Sequence, residues 1–412
     1  VYSILITMDA SSVPLPRAAA IGVASGLAIL TKGTAYVYLL PFLCWFGLSR
    51  MRVLPLGTLL RVFAVIGSAI VLLNLGHWLR NYDLFGSPLG LSAGGSVETG
   101  EEDISTYGNE AFGPAYLASN IVRNLAIHAG TSSPQITQAL FDGVASLHRW
   151  LGIDLSDPRT TWKGKEFAIP RLAFDEDHTG NPVHLLLIGW ASSSVLLSVR
   201  ARRHGRRLVA YTLACLATFV LFCSVFKWQP WHSRLQLPWL VLSAPLVGLV
   251  LAQVRNRHRR LVDAGALLLM AAALLWAYYG THDYRQAREY PRGWQYFASQ
   301  PAWGIPYVHA AEALADTGCT DIGFYASNDT WEYPLWTLLR EAGRFPVRIE
   351  HVNVQNVSRR HQPDDFDPCA VIVIARPVGH KLVAENTTFI QHGAWDTVSV
   401  WVPETVTSRS TP

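Results

Sequence analysis

The chain has 412 residues, of which 50% are hydrophobic and only 16% charged, with 15 tryptophans and a net charge of +4. An ordinary soluble domain carries about a quarter charged residues, so this composition excludes one and points to a membrane protein. The small net charge lies in short arginine clusters rather than along one face, which excludes a nucleic-acid-binding surface.

A membrane-crossing helix needs about 20 apolar residues. The chain opens on Val1 with a partial apolar segment and shows no signal peptide, so a further N-terminal part is expected upstream. The apolar stretch 18–48 is interrupted by Thr31, Lys32 and Gly33, which predicts a helical hairpin with its tip at Lys32 near one interface. Further spans are predicted over 62–79, 183–199, 208–226, 235–253 and 262–280, seven passes in all. The links at 49–61, 200–207 and 254–260 hold three, five and four arginines, whereas 80–182 holds 13 acidic against 7 basic residues. The positive-inside rule makes the arginine-rich links cytoplasmic. Counting passes then places Lys32, the loop 80–182, the short loop 227–234 and everything after about residue 281 on the opposite side, with no segment out of step.

Within the loop 80–182, "AYLASNIVRNLAIHAG" and "ITQALFDGVASLHRWLG" have apolar residues at helical spacing, as in helices that lie along a membrane surface or cap a cavity. Beyond residue 292 the runs "DIGFYA", "VRIEHV", "AVIVIA" and "TVSVWV" read as strands, with helical patterns near 306–317 and 331–342. The predicted fold is therefore mainly α, a polytopic membrane helical bundle over 1–281 followed by a small extracytoplasmic α/β domain over 292–412. That domain has no Gly-rich phosphate loop, and His309, His351, His361, His380 and His392 lack metal-ligand spacing. Cys44, Cys215 and Cys223 fall inside apolar segments, where a thiol acts as a small hydrophobe. Cys319 and Cys369 each stand just before a predicted strand. If those strands are parallel neighbours, their starts lie about 5 Å apart, so a disulfide is expected.

Charged side chains facing lipid are costly, so those gathered at helix ends are candidates for function. The predicted outer ends carry Lys32, Arg80 in "HWLRNYDLFGSPL", the acidic stretch "FDEDHTGNPVH" at 174–184, and Lys227, His232 and Arg234 in "KWQPWHSR". Taken singly, each cation could merely snorkel to the headgroups. Gathered on one side, they fit a site for an anionic, lipid-linked substrate, whose phosphate an arginine would hold in bidentate fashion.

In this order, "GLAILTKGTAYVYLLPFL", "WLRNYDLFGSPL", "DEDHTGNPVHLLL" and "KWQPWHSRLQLPWLVLSAPL" resemble the multispanning GT-C type glycosyltransferases related to protein O-mannosyltransferases and to the aminoarabinose transferase acting on lipid A. The resemblance covers roughly residues 17–255, and the C-terminal domain is similar to those appended to bacterial members. It implies a GT-C like bundle in the plasma (inner) membrane. It also implies transfer of a sugar from a polyprenyl phosphate or pyrophosphate to a glycan, lipid or protein acceptor at the extracytoplasmic face. Lys227 and Arg234 would hold the donor phosphate with His232 beside them, and Lys32 and Arg80 complete the substrate-binding set. The family's catalytic base is an acidic residue in the first external loop, expected upstream of Val1. Asp175, Glu176 and Asp177 are secondary candidates, for positioning the acceptor or a metal; no cofactor is demanded, and a divalent cation stays open. Two rivals from other classes are a transporter of a lipid-linked solute and a non-catalytic scaffold displaying the C-terminal domain. Transporters place ionisable groups or broken helices near the bilayer midplane, often in repeated halves. Here the spans after residue 182 have uncharged interiors, and no internal repeat is visible.

Overall fold

The computed structural model describes residues 1–8, 12–90, 107–172, 180–198, 205–281, 285, 287–326, 330–343, 346–363, 365–375 and 378–404. They form two compact units, one within 1–276 and the other chiefly within 277–412.

The first unit is helical: α1 (Tyr2–Thr7), α2 (Leu15–Thr31), α3 (Ala35–Arg50), α4 (Leu56–Phe85), α5 (Pro114–Ala129), α6 (Pro134–Leu151), α7 (Pro182–Leu197), α8 (Arg206–Val225), α9 (His232–Leu235), α10 (Leu237–Arg255) and α11 (Arg259–Gly280). Prolines stand in the first turns of α2, α5, α6, α7 and α10, where the missing N–H would have had no helical partner. Among the described residues α4, α8, α10 and α11 are long and apolar enough to cross a membrane, while α2 and α7 are shorter apolar helices.

Two differences from the sequence reading have physical causes. First, α4 has 30 residues, about 45 Å at 1.5 Å per residue. "HWLRNYDL" contains no helix breaker, so the helix runs on to Gly86, which closes it with φ +69°. Arg80 therefore lies on a helix and not at the start of a loop. Second, the break at residues 32–34 separates α2 from α3, but the two do not pair chiefly with each other: α2 lies along α4, and α3 packs on α8. The α2–α4 contact is close because Gly22 faces it. A Cβ there would sit 2.6 Å from the Ile66 carbonyl oxygen and 2.8 Å from the Ala69 Cβ. Further along, the Asn74 amide of α4 donates across the same seam to the Gly26 carbonyl, 3.0 Å away.

The two helices expected in the loop 80–182 are present as α5 and α6, and α5 buries its polar stripe more deeply than its apolar one, whose Leu117, Ile121 and Leu125 are half-buried. Ser119, Asn120, Arg123, Asn124 and His128 are all buried, together with Ala126 and Ile127.

The second unit comprises α12 (Arg292–Gln295), α13 (Pro301–Thr317), β1 (Asp321–Ala326), α14 (Tyr333–Glu341), β2 (Arg348–His351), β3 (Ala370–Ile374), β4 (Lys381–Ala384), β5 (Thr387–Trp395) and β6 (Val398–Pro403). The sheet order is β2-β1-β3-β6-β5-β4, with β1 parallel to β2 and β3 and the remaining pairs antiparallel. Tyr307 and Leu314 of α13 and Leu335 and Leu339 of α14 cover one face, over Ile322, Phe324, Ile372 and Val400. Val352 and Phe366 of the β2–β3 connection cover Val371, Val373, Phe389 and Trp401 on the other. Cys319 and Cys369, at the starts of the parallel neighbours β1 and β3, form the expected disulfide with a Cα–Cα distance of 5.6 Å.

Candidate functional site

The segment after α8 is stitched into the molecule by its backbone. Lys227 N–H donates to the Tyr107 carbonyl (2.8 Å), Trp228 N–H to Thr160 (2.9 Å), and Trp162 N–H returns to Trp228 (2.9 Å). This draws Lys227 and Trp228 inward, so both are buried. The Lys227 ammonium finds its counter-charge in Glu110, with Nζ 2.5 Å from Oε1; the carboxylate itself stays 46% exposed. On the residues these backbone bonds join, the rings of Tyr107 and Trp162 meet edge to face at 4.9 Å, and those of Trp162 and Trp231 at 5.6 Å. Lys165 places its ammonium 5.7 Å from the Trp231 ring, within cation–π range.

The polar side of α5 faces this segment and the start of α10. Arg123 is fully buried and donates to Thr161 Oγ1 (2.7 Å), Thr160 Oγ1 (2.9 Å), the Thr160 and Leu155 carbonyls (3.1 Å each) and Asn120 Oδ1. Burial pulls its guanidinium down to about 10, with Asp157 the largest opposing influence.

At the next residue, Asn124 Oδ1 accepts from His232 Nδ1 (2.7 Å) and Gln236 Nε2 (2.6 Å), while Gln236 Oε1 accepts from His128 Nε2 (2.7 Å). The Asn181 amide lies 3.4 Å from His128 Nδ1. With each amide oriented this way, both imidazoles are neutral: His128 carries its proton on Nε2 and His232 on Nδ1. Burial pushes the His232 imidazole down to about 3, with Arg123 and His128 adding to the shift, and burial lowers His128 as well. His232 Nε2, a bare acceptor in this tautomer, has no hydrogen-bond partner, and neither does the indole N–H of fully buried Trp228.

The residues singled out from the sequence thus separate by environment. Lys227 is buried and ion-paired, His232 is sealed and neutral, and Arg234 is exposed. Lys32, after α2, and Arg80, on α4, are exposed, and neither is among the partners of this group. Asp175, Glu176 and Asp177 lie outside the described residues. Among those described, no three His, Cys, Asp or Glu side chains gather to hold a metal ion. Sequence reading missed Glu110, Asn120, Arg123, Asn124, His128 and Gln236. The signal for most of them was the spacing in "SNIVRNLAIH", which puts Asn120, Arg123, Asn124 and His128 on one helical face.

The fold and site define a class: a protein with membrane-length helices, a buried polar network joining α5, α9 and the residue before α10, and a disulfide-closed α/β unit. No family model, curated protein or solved structure matches the chain.

Proposed function

We propose that the protein is an integral membrane glycosyltransferase that passes a sugar from a polyprenyl-phosphate-linked donor to an acceptor at the extracytoplasmic face of the plasma membrane. The observation that carries this reading is the Lys227–Glu110 pair, a buried cation held against a half-exposed carboxylate, in a segment whose backbone is tied to Trp162 and which carries Trp231. An anionic donor needs a cation, and an acceptor hydroxyl needs a base. The aromatic rings suit the boundary between lipid and water. On the expected seven-pass topology, with the arginine-rich links in the cytoplasm, this end of α8 and α10 would lie outside. A disulfide-bonded second unit fits the same side, because such bonds persist in oxidising compartments.

In the reaction, the bond from the anomeric carbon to the phosphate oxygen breaks and the phosphate leaves with the electron pair. The acceptor oxygen bonds to that carbon, and its proton passes to a carboxylate. Lys227 and Arg234 stabilise the charge growing on the departing phosphate, most effectively because Lys227 is held in place beforehand. A phosphate that takes over Lys227 releases Glu110, which then becomes available for the proton. His232, buried and neutral, holds Asn124, which in turn holds Gln236.

The test is turnover in proteoliposomes supplied with a panel of radiolabelled polyprenyl-phosphate sugars and envelope acceptors. Arg234→Lys keeps the charge but loses the planar fork, and should lower turnover about tenfold, equivalent to roughly 1.4 kcal/mol of transition-state stabilisation. Arg257→Lys, at the other end of α10, should leave it unchanged. Wild-type turnover in well-inserted Arg234→Lys protein, or no consumption of any donor, would overturn the reading.

A further inference from the structure

The second unit contains a cavity of about 370 Å³ that no part of the transferase reading uses. It opens where the chain leaving β2 reaches the far edge of the sheet. Asn353, at φ +54°, turns the chain there, and its amide donates to the Val383 carbonyl of β4, 2.9 Å away. On the β4 side stands Glu385, the first residue of the β4–β5 turn, at φ +50°. Primed two-residue turns favour glycine at such a position, so a glutamate there carries backbone strain. Two non-glycine residues in the left-handed region thus flank the cavity; asparagine adopts that region readily, so the strain lies at Glu385.

The chemistry of the walls narrows the ligand. Asn353, Gln355 and Gln362 contribute amides, Glu385 a carboxylate, Arg359 a guanidinium and Tyr325 a phenol ring. The Asn353 and Gln362 amide nitrogens are already bonded, to Val383 and to the His351 carbonyl (2.8 Å), which fixes where their oxygens point. Among the described residues no ion pair engages Arg359 or Glu385. One positive and one negative group leave the cavity without net charge, so a phosphate or sulfate would meet Glu385 as well as Arg359. Hydroxyl groups both donate and accept, as amides do, and a vicinal diol presents two donors to one carboxylate. The volume lies at the small end of ligand pockets, enough for one or two sugar rings.

We infer that this cavity is a binding site for a neutral saccharide, with Glu385 accepting from a vicinal diol and the three amides reading the neighbouring hydroxyls. The site stands independently of the transferase reading, since it needs no donor and no bond change.

The experiment uses the whole protein in lipid nanodiscs on an array of immobilised neutral oligosaccharides of one to four rings, with phosphorylated and sulfated glycans and free glycine as charged comparators. A neutral glycan should be retained, and Gln355→Ala and Glu385→Gln should each weaken that retention tenfold or more. Glu385→Gly should weaken it equally while raising the melting temperature, because it relieves the positive φ. Retention of charged ligands alone, retention of no glycan by folded protein, or neutral-glycan binding unaltered in all three variants would overturn the site. Because the readout is binding, failure of sugar transfer would leave it standing.

Discussion

His232 shows how much one buried ring governs. Its imidazole is neutral, fully enclosed and tied to Asn124, and its ordinary value of 6.5 falls to about 3. The unfolded chain keeps the ordinary value, so below pH 6.5 it binds more protons than the folded one. Stability is therefore full above about pH 6.5 and is lost as the pH falls toward 3. At pH 5 the loss from this one group amounts to about 2 kcal/mol. His128 is shifted the same way and adds to it. Thermal unfolding in detergent at pH 7.5 and pH 5 checks this: His232→Asn should narrow the gap between the two melting temperatures. An identical gap in wild type and variant would mean that the ring is not sealed.

At the scale of elements, the α2–α4 seam depends on an absent side chain. Gly22→Ala would push a methyl against the Ile66 carbonyl and Ala69, backbone and Cβ positions that cannot swing aside. Overpacking of this kind costs about 1–3 kcal/mol. Gly67→Ala, within α4 but meeting no atom within 4 Å, should be neutral or stabilising, by up to about 1 kcal/mol. Unfolding of the two variants side by side, in the same detergent, makes the comparison. Gly22 and Gly26 in "GVASGLAIL" stand four apart on one face of α2, the spacing of a close helix contact, and both face α4, whereas Gly67 has no small residue four away on either side. Spacing says less about α5. Its apolar positions Leu117, Ile121 and Leu125 and its polar ones Ser119, Asn120, Arg123, Asn124 and His128 both repeat at helical spacing, so periodicity alone cannot say which stripe is the more deeply buried. In contrast β1 and β3 were legible as short, continuous apolar runs, which is how strands in the middle of a covered sheet read. The β4–β5 hairpin escaped because β4 has four residues in alternating exposure and β5 mixes polar residues along its length. The Lys227–Glu110 pair joins positions 117 apart, a separation no local pattern encodes.

At the scale of the whole molecule, two units with separate cores should unfold separately. Only the second contains a disulfide among the described residues, and the bridge joins positions 50 apart. On the chain-entropy estimate, closing a loop of that length stabilises by roughly 4 kcal/mol. Calorimetry with and without reductant should therefore shift one transition downward and leave the other in place. A shift of both, or of neither, would contradict the division. The pairing itself was legible, because each cysteine precedes a strand and parallel neighbours bring their starts together.

Asn353 has one more consequence, for what the sheet refuses. An edge strand offers unpaired backbone groups to any foreign strand that arrives, and aggregation begins there. In the β4–β5 ladder Ala384 pairs with Thr387 next to the turn, so Val383 directs its carbonyl away from β5, toward the open edge. The Asn353 amide occupies that carbonyl, and Lys381, two residues along, sets a charge on the same edge. The opposite edge, β2, is only four residues long. A side chain that turns one loop thus also closes the sheet to strand addition, and protects the unit from sticking to its own copies.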